Sequence, residues 1–432
     1  MKRLLKGGDI LIYEGDRFSC LKNGYLGIDG DTIDYLGTEA PNETYDQVKD
    51  MTGRLLLPGL VNGHTHTGMS LLRGLGSDLP LKEWLFDTVF PVEDRLTDED
   101  LRIGMELSLL EMIASGTTAF TDMYMSPGYT ARAVVASGMK ANLCRPMQSF
   151  DPDEEPMTCR RMREMLALYD EWNGAAEGRI VTDFAIHAEY TCTEKMVRAA
   201  AEEAQKQGAG MHIHLSETAA EQQNCVEKYG LTPAQWFDSL GAFNGRAYAA
   251  HCVWLTAEDR ALLKERDVTV IHCPESNLKL GSGVADVPAM TDEGLTVALG
   301  TDGAASNNNL NMVEEIHLAA MLHKGVRHDP TALPMDQVLR MATVNGAKLQ
   351  GRTDTGVLAV GKKADVIAVD MDRPHLAPCI DPLSNLLFSA QAADVVMTMA
   401  DGQILYENGD FLTLDRDRIL FEARQAARRL LG

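Results

Sequence analysis

Two histidines, His64 and His66, stand at i and i+2 in the run Pro58-Gly-Leu-Val-Asn-Gly-His-Thr-His66. A strand has a side-chain period of two, so it projects both imidazoles from one face. Neutral imidazoles placed so close can share one borderline cation such as zinc. A bare His-x-His also suits two polar residues in a loop, so the rest of the chain must decide. Seven further β-rich runs each end in an ionisable or metal-binding group. Residues 117–121 lead to Asp122, 140–144 to Arg145, 181–186 to His187 and 210–213 to His214. Residues 248–250 lead to His251, 268–271 to His272 and 295–301 to Asp302.

Something must bring these ends together. Between the runs lie longer helical stretches, such as 98–114 and 194–207, and that alternation is the signature of βαβ units. Eight parallel strands with polar C-terminal ends describe a (β/α)8 TIM-like barrel, whose active site lies at that face. The expected barrel spans residues 58–354. A doubly wound sheet is the alternative, but no Gly-x-Gly-x-x-Gly fingerprint follows a strand. Residues 1–57 and 355–432 differ in texture. They read as short strands with tight turns, including a hairpin at Asp29-Gly30. Neither end makes a core alone, so the two are expected to pair as one small β-sandwich, with a terminal helix over 416–431.

Composition excludes several classes. The chain has 432 residues, 45% hydrophobic and 24% charged, as in an ordinary globular protein. No run approaches 18 apolar residues, so no membrane span is expected, and the N-terminus lacks the apolar stretch of a signal peptide. A formal charge of −23 would repel a phosphate backbone and argues against nucleic acid. The eight cysteines are scattered without Cys-x-x-Cys, as in a reducing compartment. A cytoplasmic location is the expectation. The base-editing type of zinc deaminase is excluded too: His187-Ala-Glu189 mimics half of its motif, but Pro-Cys-x-x-Cys is missing.

The segments Pro58–His66, His214-Leu-Ser-Glu217, Ala250-His-Cys252 and Gly300-Thr-Asp302-Gly together resemble the amidohydrolase superfamily. The likeness runs over nearly the whole chain, both ends included. Within that superfamily, Leu72-Arg-Gly-Leu-Gly-Ser-Asp-Leu-Pro80, Pro91-Val-Glu93, Ser276-Asn-Leu-Lys-Leu-Gly281 and Gly300–Asn308 are similar to 5-methylthioadenosine/S-adenosylhomocysteine deaminases. Guanine deaminases and triazine hydrolases share part of these finer motifs.

The resemblance implies metal-dependent hydrolytic deamination of an adenine ring, with 5-methylthioadenosine, S-adenosylhomocysteine or adenosine as substrate. It assigns His64, His66, His214 and Asp302 to one divalent metal ion, zinc or iron, in a site that keeps a position open for water. The family match and the Glu three residues on favour His214 over His212, which is expected to be a packed or hydrogen-bonded histidine. His187 stands where binuclear relatives carry a bridging lysine, which favours a single metal. A divalent metal lowers the pKa of bound water to around 7. Glu217 would deliver a proton to the ring nitrogen, or else be a helix-start carboxylate. His251 and Asp302 would manage the protons of water and departing ammonia.

For the rest of the substrate, Glu93 would accept ribose hydroxyls and His187 would contact the nucleoside. Arg145 and Arg161 would grip a carboxylate, as guanidinium geometry suits, with Arg160 an equally near candidate. Trp84 would wall the pocket. His317, His323, His328 and His375 are assigned no role. Related enzymes imply a homo-oligomer. The alternatives are a guanine or triazine hydrolase and a metal-free scaffold on the same barrel, and a scaffold has no need of His64, His66, His214, Glu217, His251 and Asp302 together.

Overall fold

Eight parallel strands run in chain order: Leu60–Thr65, Thr117–Met123, Lys140–Met147, Ile180–Ile186, Met211–Leu215, Ala247–His251, Thr269–His272 and Val297–Leu299. The computed structural model describes residues 1–125 and 127–431. Each barrel strand pairs with the next, and the amide of Asp302 donates to the His64 carbonyl at 2.9 Å across the seam between last and first. The result is a nearly closed barrel. Register keeps its polar ends level, with Thr65 opposite Asp122 and Leu215 opposite His251. The strands are buried on both sides, as parallel strands under covering helices must be.

The helices between them start where local chemistry dictates. Thr97 and Asp100 form a capping box that opens Asp98–Ala114. Thr193 caps Glu194–Gln207, which ends at Gly208 with φ +66°. The first of these helices must approach the turn after His66 very closely. A Cβ on Gly104 would stand 2.5 Å from the Gly68 carbonyl oxygen, so only glycine allows this contact.

The two ends of the chain share a second sheet of nine strands. Arg54–Pro58 pairs antiparallel with Val366–Asp370 and joins five N-terminal strands to four C-terminal ones. The hairpin turns at Asp29-Gly30 as expected. What reads as a sandwich is one continuous sheet folded over its own core. Leu5, Ile28 and Ile33 from one end pack with Met397, Met399 and Ile404 from the other, and Thr32 bridges to Lys363. The terminal helix, Arg416–Leu431, leaves this sheet. Its Ala423, Ala426 and Leu430 bury against the cluster of Met69, Leu72, Trp84 and Leu101 on the barrel, and its Arg429 pairs with Asp100. No helix among the described residues is long and apolar enough to cross a membrane.

Candidate active site

At the C-terminal mouth of the barrel, imidazole nitrogens and one carboxylate converge. Oδ1 of Asp302 lies 3.3 Å from Nε2 of His64 and 3.2 Å from Nε2 of His66. Nε2 of His214 is 3.2 Å from that of His66. The donor atoms of His64, His66 and His214 lie within 4.8 Å of one another, as do those of His64, His251 and Asp302. The inward direction is enforced from behind. Nδ1 of His66 faces the Met123 carbonyl at 2.6 Å, Nδ1 of His214 faces the His187 carbonyl at 2.7 Å, and Nδ1 of His251 faces Oδ1 of Asn277 at 2.9 Å. A carbonyl only accepts, so each Nδ1 carries a proton and each Nε2 is the nitrogen turned toward the site.

The donor set fits a divalent metal. Nε2 of His64 is buried without a hydrogen-bond partner, a costly state that a cation would relieve. Burial holds the His64 imidazole down at about 4 and that of His214 well below its ordinary value, which favours the neutral form a ligand needs; at His66 burial is outweighed by the facing Asp302 and the shift is upward. Asp302 goes the same way: burial favours its neutral form, but the facing His64 and His66 outweigh burial and hold it well below the usual range. Its other oxygen accepts from Ser276 at 2.7 Å and Ser306 at 2.6 Å. The backbone at the strand ends is strained, with φ of +48° at Ser216, +73° at His251 and +62° at Asp302. Such conformations persist where the surroundings over-determine them.

Glu217 precedes the cap Thr218 of helix Ala219–Tyr229, and Glu221 is the carboxylate that serves the helix start, accepting from the amides of Ser216 and Glu217. Glu217 is thereby released into the cavity. Its Oε1 accepts from Ser282 at 3.1 Å, Oε2 lies 3.8 Å from Nε2 of His251, and burial pushes its carboxyl above the usual range.

The cavity opens to solvent and, with the open space at its mouth included, spans about 790 Å³. Alongside His66, His214, Glu217, His251 and Asp302, its walls include Trp84, Glu93, Arg145, Arg161 and His187. His64 lies behind this wall, fully buried. Arg145 gives its Nε to Glu164 at 2.7 Å, and Arg161 donates to the Gln148 carbonyl at 2.8 Å. Arg160 is elsewhere: its side chain is 72% exposed and 3.5 Å from Glu164. Among the other strand-end groups, Asp122 accepts from the Thr67 amide at 2.8 Å and fixes the turn after His66. His272 faces His323 at 3.2 Å, outside the cavity wall, and His317, His328 and His375 also lie outside it. His212 touches Nδ1 of His64 at 3.0 Å.

Several residues with no assignment from sequence prove central. Tyr124 donates its hydroxyl to Oε1 of Glu93, and Ser276, Asn277, Ser282 and Ser306 brace the polar groups described above. Ser276, Asn277 and Ser306 lie inside the quoted motifs, which was the available signal; Tyr124 and Ser282 had none beyond proximity to a strand end or a motif.

A model of the amidohydrolase family matches residues 55–405. The chain belongs to the amidohydrolase family. It is therefore a hydrolase acting on C–N bonds, from a metal-dependent family, and the converging donors are a candidate metal site. Among its relatives is the 5-methylthioadenosine/S-adenosylhomocysteine deaminase of Acetivibrio thermocellus, 43% identical over 435 residues, covering 98% of this chain and 100% of that one. The 5'-deoxyadenosine deaminase of Methanosarcina acetivorans is 45% identical over 429 residues, covering 99% and 98%. Among solved structures, an adenosine deaminase from Xanthomonas campestris with bound zinc superposes with a TM-score of 0.93, at 31% identity, over 99% of this chain and 98% of that one.

Proposed function

We propose that this amidohydrolase removes the 6-amino group of adenine nucleosides by hydrolysis, giving the inosine analogue and ammonia. 5-Methylthioadenosine, S-adenosylhomocysteine and 5'-deoxyadenosine are the leading substrates, with adenosine behind them. One observation carries the reading: Glu93, Arg145 and Arg161 line the same cavity as the metal donors. A free base lacks the ribose hydroxyls that Glu93 would accept from, and it lacks the carboxylate that the two guanidiniums would receive. Relatives named for adenine-nucleoside deamination at 43–45% identity support it.

In this reading His64, His66, His214 and Asp302 hold one divalent metal, with zinc favoured by the three imidazoles and one carboxylate. Bound there, it would acidify water and polarise the reacting centre. The remaining steps belong to the chain. Glu217, kept protonated more readily by its burial, gives its proton to ring N1 as water adds to C6. His251, oriented by Asn277, and Asp302 accept the water's two protons; one returns to the amino group, which leaves as ammonia when the C6–N bond breaks, and the other restores Glu217. Glu93 accepts ribose hydroxyls, His187 contacts the nucleoside, Trp84 walls the pocket, and Arg145 and Arg161 receive a carboxylate carried on the 5' substituent.

Ammonia release across a panel of 5-methylthioadenosine, S-adenosylhomocysteine, 5'-deoxyadenosine, adenosine, adenine, guanine and a chlorotriazine tests the reading. Turnover confined to adenine nucleosides supports it. Activity on guanine or release of chloride from the triazine, with none on any nucleoside, overturns it.

A further inference from the structure

His212 is fully buried and absent from the cavity wall, yet it touches the metal centre. Its Nε2 lies 3.0 Å from Nδ1 of His64, with the rings nearly perpendicular at 83°. Its ring packs 4.6 Å from that of Tyr248, whose hydroxyl donates to Asp183 at 2.9 Å. The ring is clamped.

A contact between two ring nitrogens needs one donor and one acceptor. His66 and His214 meet carbonyls, which leave no choice. His64 meets another imidazole, where either direction is chemically open. If Nε2 of His212 donated, His64 would carry its own proton on Nε2 and aim it at Asp302, 3.3 Å away. The donor set would then be closed to a cation. If Nε2 of His212 accepts, Nε2 of His64 keeps its lone pair. His212 must then bear its proton on Nδ1, and that nitrogen is buried with no hydrogen-bond partner. A buried N–H without an acceptor is destabilising, so this arrangement is one that the empty fold would do better without.

We propose that His212 is a positioning residue: by accepting the Nδ1 proton of His64 it keeps Nε2 of His64 available to a metal ion. The inference rests on reading His64 as a ligand. It makes the first ligand's tautomer depend on a side chain, where backbone serves the other two.

The test uses the full chain stripped of metal, with zinc alone as the probe in competition against a chelator. His212→Phe keeps a flat ring against Tyr248 but removes both the acceptor and the orphaned donor. Its zinc affinity should fall roughly 10–100-fold, the range typical of lost partners behind metal ligands, while the metal-free protein melts no lower than wild type. His212→Gln, whose amide oxygen can accept from His64, should recover most of that affinity. Wild-type zinc affinity in His212→Phe overturns the inference, as does failure of the glutamine to recover it. A lower melting temperature for both metal-free variants, with affinity lost equally, makes His212 a packing residue and also overturns it. His64→Ala, run alongside, should lose zinc; if it binds zinc normally, the ligand assignment itself fails and this inference with it.

Discussion

Oε2 of Glu217 and Nε2 of His251 lie 3.8 Å apart in the cavity, both buried, one on the segment after the fifth barrel strand and the other at the end of the sixth. Burial raises the carboxyl of Glu217. Burial would lower His251, but the facing carboxylates of Glu217 and Asp302 outweigh it, and the net shift is upward. Both groups therefore hold protons more tightly than they would in water. That suits the proton-transfer roles proposed for them.

Glu217→Gln separates function from stability. It keeps the shape and removes the transferable proton, so turnover should fall roughly 10²–10⁴-fold. The stability effect has the opposite sign. A carboxyl whose folded pKa lies above its ordinary 4.5 destabilises the fold by ionising, and this cost grows as pH rises past 4.5. The metal-free glutamine variant should therefore melt higher than wild type at pH 7, and the difference should vanish below pH 4.5. Melting curves at both pH values and initial rates check this; normal turnover would remove Glu217 from the mechanism.

Metal content is the second prediction. Elemental analysis should find about one divalent ion per chain, because the donors converge on a single point. His66→Ala or His214→Ala should each lose most of it. Full occupancy in both variants would mean that the ion sits elsewhere.

Tyr124→Phe probes the hydrogen bond to Glu93. Losing a hydrogen bond to a charged group removes about 1.5–3 kcal/mol, so kcat/KM for nucleosides should drop roughly 10–100-fold, mostly through KM. Any residual activity on free adenine, which has no ribose, should not change. Equal losses on base and nucleoside would show that Tyr124 shapes the whole cavity and does not act through Glu93.

The arginines make the last prediction. Arg145→Ala and Arg161→Ala should lower kcat/KM for S-adenosylhomocysteine far more than for 5-methylthioadenosine, since only the former carries a carboxylate. Arg160→Ala, altering an exposed side chain outside the cavity, should leave both unchanged. Rates for the two substrates across the three variants decide it.

The sequence alone was enough to find the barrel and the polar ends of its strands, because both follow from local periodicity. His64 and His66 share a face through the period of two, and each strand's last residues must sit at one mouth once the strands are parallel. The hairpin at Asp29-Gly30 was legible for the same reason, as a turn is written in its own residues. Other features depend on what packs where. Arg160 and Arg161 are neighbours on one helix, roughly 100° apart in direction, and only the docking of that helix decides that Arg161 faces the cavity. The helix Arg416–Leu431 was visible as a helix, but its burial against the barrel next to Trp84 was not. The carbonyls of Met123 and His187 that aim two imidazoles, and the hydroxyl of Tyr124 that holds Glu93, come from segments far away in the chain. A backbone carbonyl has no residue type to betray it, so tertiary structure alone could show which one orients a ligand.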